Sequence, residues 1–189
     1  MCIRDRLKKD LQEVFPYKYI RIDTAEADDI IAVACKYTTK PILIISTDKD
    51  YLQLQTNPHV KQYDPVKMIM VKTDDPKAYL FEHIIRGDSN DGVPNIASPD
   101  NCFVIGQRQN RITTKMLESY SNIANDPQHS LYRNFVRNRM LIDLTQIPDH
   151  IEQQIVIELN KENNKDRSKL FNYFVKNKMK NLMEHINDF

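Results

Sequence analysis

Glycine is scarce, with three residues in 189 (Gly87, Gly92 and Gly106), so there is no glycine-rich loop to cradle the phosphates of a nucleoside triphosphate. Long hydrophobic runs are missing as well. The longest obvious one, Ile42 to Ile45, is strand-sized and far short of the ~20 apolar residues that span a bilayer, so no membrane segment is expected. Cysteines are few and odd in number. Cys2, Cys35 and Cys102 are too dispersed for a disulfide framework and read as free thiols in a reducing compartment, hence the cytoplasm. Cys35 reads as a core residue rather than a reactive thiol. The five histidines, His59, His83, His129, His150 and His185, are scattered without metal-ligand spacing, and each reads as a surface or helix-face residue. An excess of one charge is also lacking. The net charge is +1, from 27 Lys+Arg against 26 Asp+Glu, and composition alone does not suggest nucleic acid as a partner.

The charges are present but unevenly arranged. Residues 1–100 carry 14 basic and 16 acidic side chains, residues 101–189 carry 13 and 10, so an acid-rich half precedes a mildly basic one. With 41% hydrophobic residues, there is enough apolar material for a buried core. Residues 1–6 show no signal-peptide pattern and read as a non-native start, like the adapter-derived ends of translated metagenomic fragments. Beyond them the spacing predicts a helix over Leu7–Val14, an extended segment over Tyr19–Ile22 and a helix from Glu26 to Tyr37. A buried strand over Ile42–Ile45 follows, then a short helix from near Asp50. An edge hairpin is expected over Val60–Tyr63 and Met68–Val71, then a helix over Pro76–Arg86. This alternation implies an α/β domain with a mostly parallel sheet, over residues 7–94. After a polar loop the pattern becomes all-α over residues 95–189, with helices at Thr113–Asn125, Ser130–Asp143, Pro148–Leu159 and Asp166–Met179.

Three acidic clusters carry the functional argument. Glu26, Asp28 and Asp29 sit where an extended segment meets a helix start. One acid there caps the helix and gains ~0.3–1 kcal/mol from its dipole, whereas three in four residues repel one another unless a cation compensates. Asp48 and Asp50 follow the strand, and in extended backbone residues two apart project to the same side, at the sheet edge where ligand sites of open α/β sheets lie. Asp88 and Asp91 lie in a loop flanked by Gly87 and Gly92, alone an ordinary turn. Together the seven carboxylates, with no histidine or cysteine among them, form a hard oxygen set suited to Mg²⁺ or Mn²⁺ and not to zinc. Two such ions ~3.5–4 Å apart would suit in-line phosphodiester hydrolysis.

The runs Ala25-Glu26-Ala27-Asp28-Asp29, Ser46-Thr47-Asp48-Lys49-Asp50-Tyr51 and Gly87-Asp88-Ser89-Asn90-Asp91-Gly92-Val93-Pro94 resemble, in order and spacing, the acidic motifs of the 5′-nuclease (flap endonuclease) superfamily. The surrounding sequence is most similar to the ribonuclease H branch of T-even-type bacteriophages. That resemblance carries through the Tyr19–Asp23 lead-in, the hairpin around Tyr63 and the closing Tyr173-Phe174-Val175-Lys176 helix. It implies a PIN-like domain, then a helical region opening on a degenerate helix-hairpin-helix, since Asn95–Asp100 stands where relatives carry glycines.

The resemblance further implies a Mg²⁺-dependent 5′-3′ exonuclease and flap endonuclease, using two Mg²⁺ with Mn²⁺ able to substitute. Its task would be to remove RNA primers and 5′ flaps during DNA replication in the cytoplasm of an infected host. Partners would be DNA and RNA–DNA hybrids, with replication proteins such as a single-stranded DNA-binding protein, and the chain is expected to be a monomer. Glu26, Asp28 and Asp48 would hold the first metal, Asp50 would lie between the sites, and Asp88 and Asp91 would serve the second. Asp29 joins the metal set. The family's first strand, with its aspartate and basic clamp, has no counterpart here, so the chain is expected to be an N-terminally truncated fragment of weak or no activity. Arg108, Arg111 and Lys115 are candidate phosphate contacts.

Two rivals use the same residues. A haloacid dehalogenase-type phosphatase would use Asp48-Lys49-Asp50 and Gly87-Asp88. Gly87 follows Asp50 by only 37 positions, however, Phe81–Arg86 reads as helix, and Glu26–Asp29 would have no role. A non-catalytic nucleic-acid-binding remnant would favour bases over carboxylates at these positions.

Overall fold

The computed structural model describes residues 2–189. The helices are α1 (Ile3–Glu13), α2 (Ala27–Tyr37), α3 (Pro76–Arg86), α4 (Thr114–Ser119), α5 (Tyr132–Ile142), α6 (Asp149–Asn160), α7 (Leu170–Lys176) and α8 (Lys180–Glu184). The strands are β1 (Ile42–Ile45), β2 (Val60–Asp64) and β3 (Ile69–Val71). The chain divides into two compact units, one of residues up to Ala25 with Gln154–Phe189, the other Glu26–Gln153. The boundary expected between residues 94 and 95 therefore falls inside the second unit. The expected helices are present, with Thr113–Asn125 split into α4 and a 3-10 turn at Ile123–Asn125. Among the described residues no helix is long and apolar enough to cross a membrane.

The sheet is smaller than expected, mixed, and ordered β1-β2-β3. β1 runs parallel to β2, with Ile42 opposite Val60 and Ile45 opposite Tyr63, while β3 returns antiparallel. Tyr19–Ile22, expected as extended and strand-like, joins no strand. β1 is an edge strand rather than a fully buried one. Ile44 is covered, but Leu43 and Ile45, which alternate with it onto the opposite face of the sheet, are 53% and 66% exposed. At Asn95–Asp100 the chain forms turns instead of the first helix of a helical hairpin. Asn95 there donates from its backbone to Gln109 and from its side chain to the Asn110 carbonyl, and Ser98 Oγ accepts from the Asn110 backbone.

Two apolar cores organise the Glu26–Gln153 unit. One joins Ala32 and Cys35 of α2 to Ile44, Tyr51, Leu54 and Val60. The other joins Ile84 and Ile85 of α3 to Val93, Ile96, Ile123, Phe135 and Ile142. Cys35 is buried, and burial pushes its thiol up to about 11, as suits an inert core residue. In the other unit Phe15, Leu170 and Phe174 form a separate aromatic core, with Phe15 edge-on to Phe174 at 6.1 Å.

Candidate metal centre

Each acidic motif is fixed by local chemistry. At the start of α2, Asp29 Oδ2 accepts the Glu26 backbone N–H at 3.0 Å, so part of this cluster does serve as a cap. Asp28, on the same turn, receives the Tyr51 hydroxyl at 2.5 Å. The Tyr51 ring is itself a core residue, 4% exposed, so the hydrophobic core aims the phenol at this carboxylate. Burial raises the Asp28 pKa and the Tyr51 phenol restrains the rise, while the charges of Asp48, Asp29 and Asp91 add to it.

Asp48 and Asp50 converge, though not through strand alternation. Asp48 Oδ1 accepts the Asp50 backbone N–H at 3.0 Å, forming an Asx turn, and Asp50 opens a 3-10 helix over Asp50–Thr56. Gln62, 1% exposed on β2, anchors that turn by donating Nε2 to the carbonyls of Ser46 and Asp48. Asp88 follows α3, whose C-cap Gly87 has φ +67°. A Cβ at Gly87 would meet the Val93 carbonyl oxygen at 2.4 Å, so the chain doubles back there only as glycine. Asp88 Oδ1 then accepts from Asn90 N at 2.8 Å.

Two buried amides hold these loops together. Asn138 of α5, fully buried, donates to the carbonyls of Ile84 at 2.8 Å and Pro94 at 2.9 Å, spanning the third motif. Gln53 donates to the Ile142 carbonyl at 3.1 Å and accepts from Leu144 N at 2.9 Å. Ile142 and Leu144 then close one side of a cavity of about 80 Å³ whose remaining lining is Glu26, Asp28, Asp29, Asp50, Asp88, Asp91, Val93 and Leu141. Six of the seven expected residues thus share one cavity, and the seventh, Asp48, offers an oxygen within 4.8 Å of oxygens from Asp28 and Asp50. No Lys or Arg lines it. Burial, together with Asp48, Asp88 and Asp28, raises Asp50 to about 6 against a weaker opposing effect of His83. Burial, with the charges of Asp50, Asp48 and Asp88, pushes the Tyr79 phenol of α3 up to about 12.

His83 corrects the sequence reading, which left every histidine outside the site. Its side chain is only 14% exposed, with Nδ1 3.5 Å from Asp50 Oδ1 and Nε2 3.4 Å from Asp88 Oδ2. It comes from the last turns of α3, five positions before Asp88, and linear spacing carries no trace of its approach to Asp50. Arg108, Arg111 and Lys115 are exposed in and after the loop that follows the third motif. The donor set fits hard divalent cations, with converging carboxylates whose mutual repulsion already perturbs Asp28 and Asp50.

Two family models and one curated relative match the chain. Residues 6–82 match the family described as 5′-3′ exonuclease, N-terminal resolvase-like domain, and residues 75–189 match that described as T4 RNase H, C terminal. The chain is 34% identical to Ribonuclease H of Enterobacteria phage T4 over 195 residues, covering 95% of this chain and 63% of that protein. The chain therefore belongs to the family described as T4 RNase H, C terminal, whose match covers more than half of it.

Proposed function

We propose that the acidic cavity is the divalent-metal centre of a nuclease that hydrolyses phosphodiester bonds from 5′ ends, acting on RNA primers and 5′ flaps in an infected host's cytoplasm. The observation that carries this reading is the convergence of six carboxylates from three separate loops on one cavity without a lining Lys or Arg. Such a concentration of negative charge is tolerable only with protons or cations inside it.

Glu26, Asp28 and Asp48 would hold one metal, and Asp88 and Asp91 would serve another. Asp50 belongs to both close groupings, Asp28–Asp48–Asp50 and Asp50–His83–Asp88, which supports its assignment between two positions. Asp29 keeps one oxygen on the helix cap, leaving the other for the cavity. When bound, Mg²⁺ or Mn²⁺ would polarise the scissile phosphate and stabilise the leaving oxygen. The protein contributes positioning: Tyr51 holds Asp28, Gln62 holds the Asp48 turn, and the glycine turn sets Asp88. Arg108, Arg111 and Lys115 would take the strand's phosphates through a salt-sensitive attraction.

Calorimetric titration of the chain with Mg²⁺ should show saturable binding that Asp48→Asn and Asp88→Asn each weaken by about tenfold or more. In Mg²⁺ the chain, lacking the family's first strand, should release at most traces of 5′ product from labelled 5′-flap DNA and RNA-primed DNA, and Asp48→Asn should remove any that form. Lack of divalent binding by the wild-type chain, or products released from 3′ ends, would overturn the assignment.

A further inference from the structure

The imidazole of His83 lies between two carboxylates, and its buried Nδ1 has no hydrogen-bond partner. The 3.5 Å approach to Asp50 is too poorly aligned to count as one. A neutral imidazole carries one N–H and one lone pair. The N–H can satisfy one carboxylate, but the lone pair then faces the other, an arrangement that is repulsive unless a proton or a metal cation sits between them. Metal-ligating histidines commonly show this order, with one ring nitrogen on the ion and the other donating to a carboxylate that fixes the ring. The spacing is also suitable. Neighbouring donors around a small divalent ion, each ~2.1 Å from it, lie roughly 3 Å apart, and one ligand atom each from Asp50, His83 and Asp88 lie within 4.8 Å of one another. The ring is held in place by α3 and by Tyr79, whose centroid is 5.9 Å away.

We infer that His83 is a nitrogen ligand of the metal position it shares with Asp50 and Asp88, and that it biases this position toward Mn²⁺ over Mg²⁺. The inference deepens the metal-centre reading and rests on it. Mg²⁺ seeks oxygen donors, whereas imidazole suits later first-row ions, whose affinity for nitrogen-containing sites rises along the series from Mn²⁺. An all-carboxylate site would lack that bias.

The test is pulsed EPR of the 189-residue chain loaded with Mn²⁺, alongside Mn²⁺ and Mg²⁺ titrations. Wild type should show imidazole ¹⁴N coupling to bound Mn²⁺, and ¹⁵N-histidine labelling should shift it without altering the fold. His83→Gln should abolish the coupling and weaken Mn²⁺ about tenfold, with less than about a threefold change for Mg²⁺. Mn²⁺ bound without nitrogen coupling would overturn the His83 assignment and leave the carboxylate centre standing. Absence of Mn²⁺ binding by wild type would overturn both.

Discussion

At the residue scale, the site is a concentration of like charge held in place by neutral neighbours. Asp50 shows the consequence most directly, with burial and three nearby carboxylates lifting it from 3.8 to about 6. A group whose folded pKa is raised binds more protons folded than unfolded. Its contribution to stability is therefore full below about pH 4 and lost as pH rises through about 6. In chelator, the wild-type chain should lose stability between pH 4.5 and 7.5 relative to Asp50→Asn, by on the order of 1–2 kcal/mol after allowance for partial exposure. Denaturant melts of both proteins across that range would check this, and parallel pH profiles would contradict it. The acids themselves were legible in the sequence because three motifs of distinct local character, a helix start, a strand exit and a glycine turn, each carry them. His83 was not. Its role depends on which way one face of α3 points, and residues far apart in sequence decide that.

At the scale of elements, short connections do the aiming. The end of α3 turns on Gly87, where added bulk would strike the backbone of Val93 and Pro94 at 2.4–2.7 Å and φ is already positive. Gly87→Ala should cost more than about 2 kcal/mol and disturb Asp88. Gly92→Ala, at φ +74° with open space around its Cβ, should cost only about 1 kcal/mol of backbone strain. Thermal melts and divalent titrations of the two variants would separate the positions, and equal effects would refute the close-approach argument. Element boundaries were largely visible in the sequence. Pro76–Arg86 matches α3, with Asp75 capping Lys77 and Ala78 and proline at its first turn. The sheet was less visible. Tyr19–Ile22 has strand-like composition but finds no strand partner, since pairing depends on neighbours rather than on propensity.

At the scale of the whole molecule, ion binding and the stability of the Glu26–Gln153 unit are linked, because a folded acidic cavity binds cations that the open chain does not gather. A divalent ion at a hundred times its Kd adds about 2.7 kcal/mol. Mg²⁺ should therefore raise the melting temperature by about 5 °C or more at pH 7.5, and by less at pH 5, where protons already relieve Asp50. A shift independent of pH, or one retained in Asp88→Asn, would contradict this.

The amino-acid order alone determined the acid inventory, the main helices and strands and the family, because those depend on local spacing and ordered motifs. Only the tertiary structure decided that Asn138 and Gln53 fasten the third and second acidic motifs to α5 and the chain after it, that Asp48 and Asp50 meet through an Asx turn, and that His83 stands between two carboxylates. Each of these depends on side chains packed from distant positions, and one-dimensional spacing does not encode that proximity.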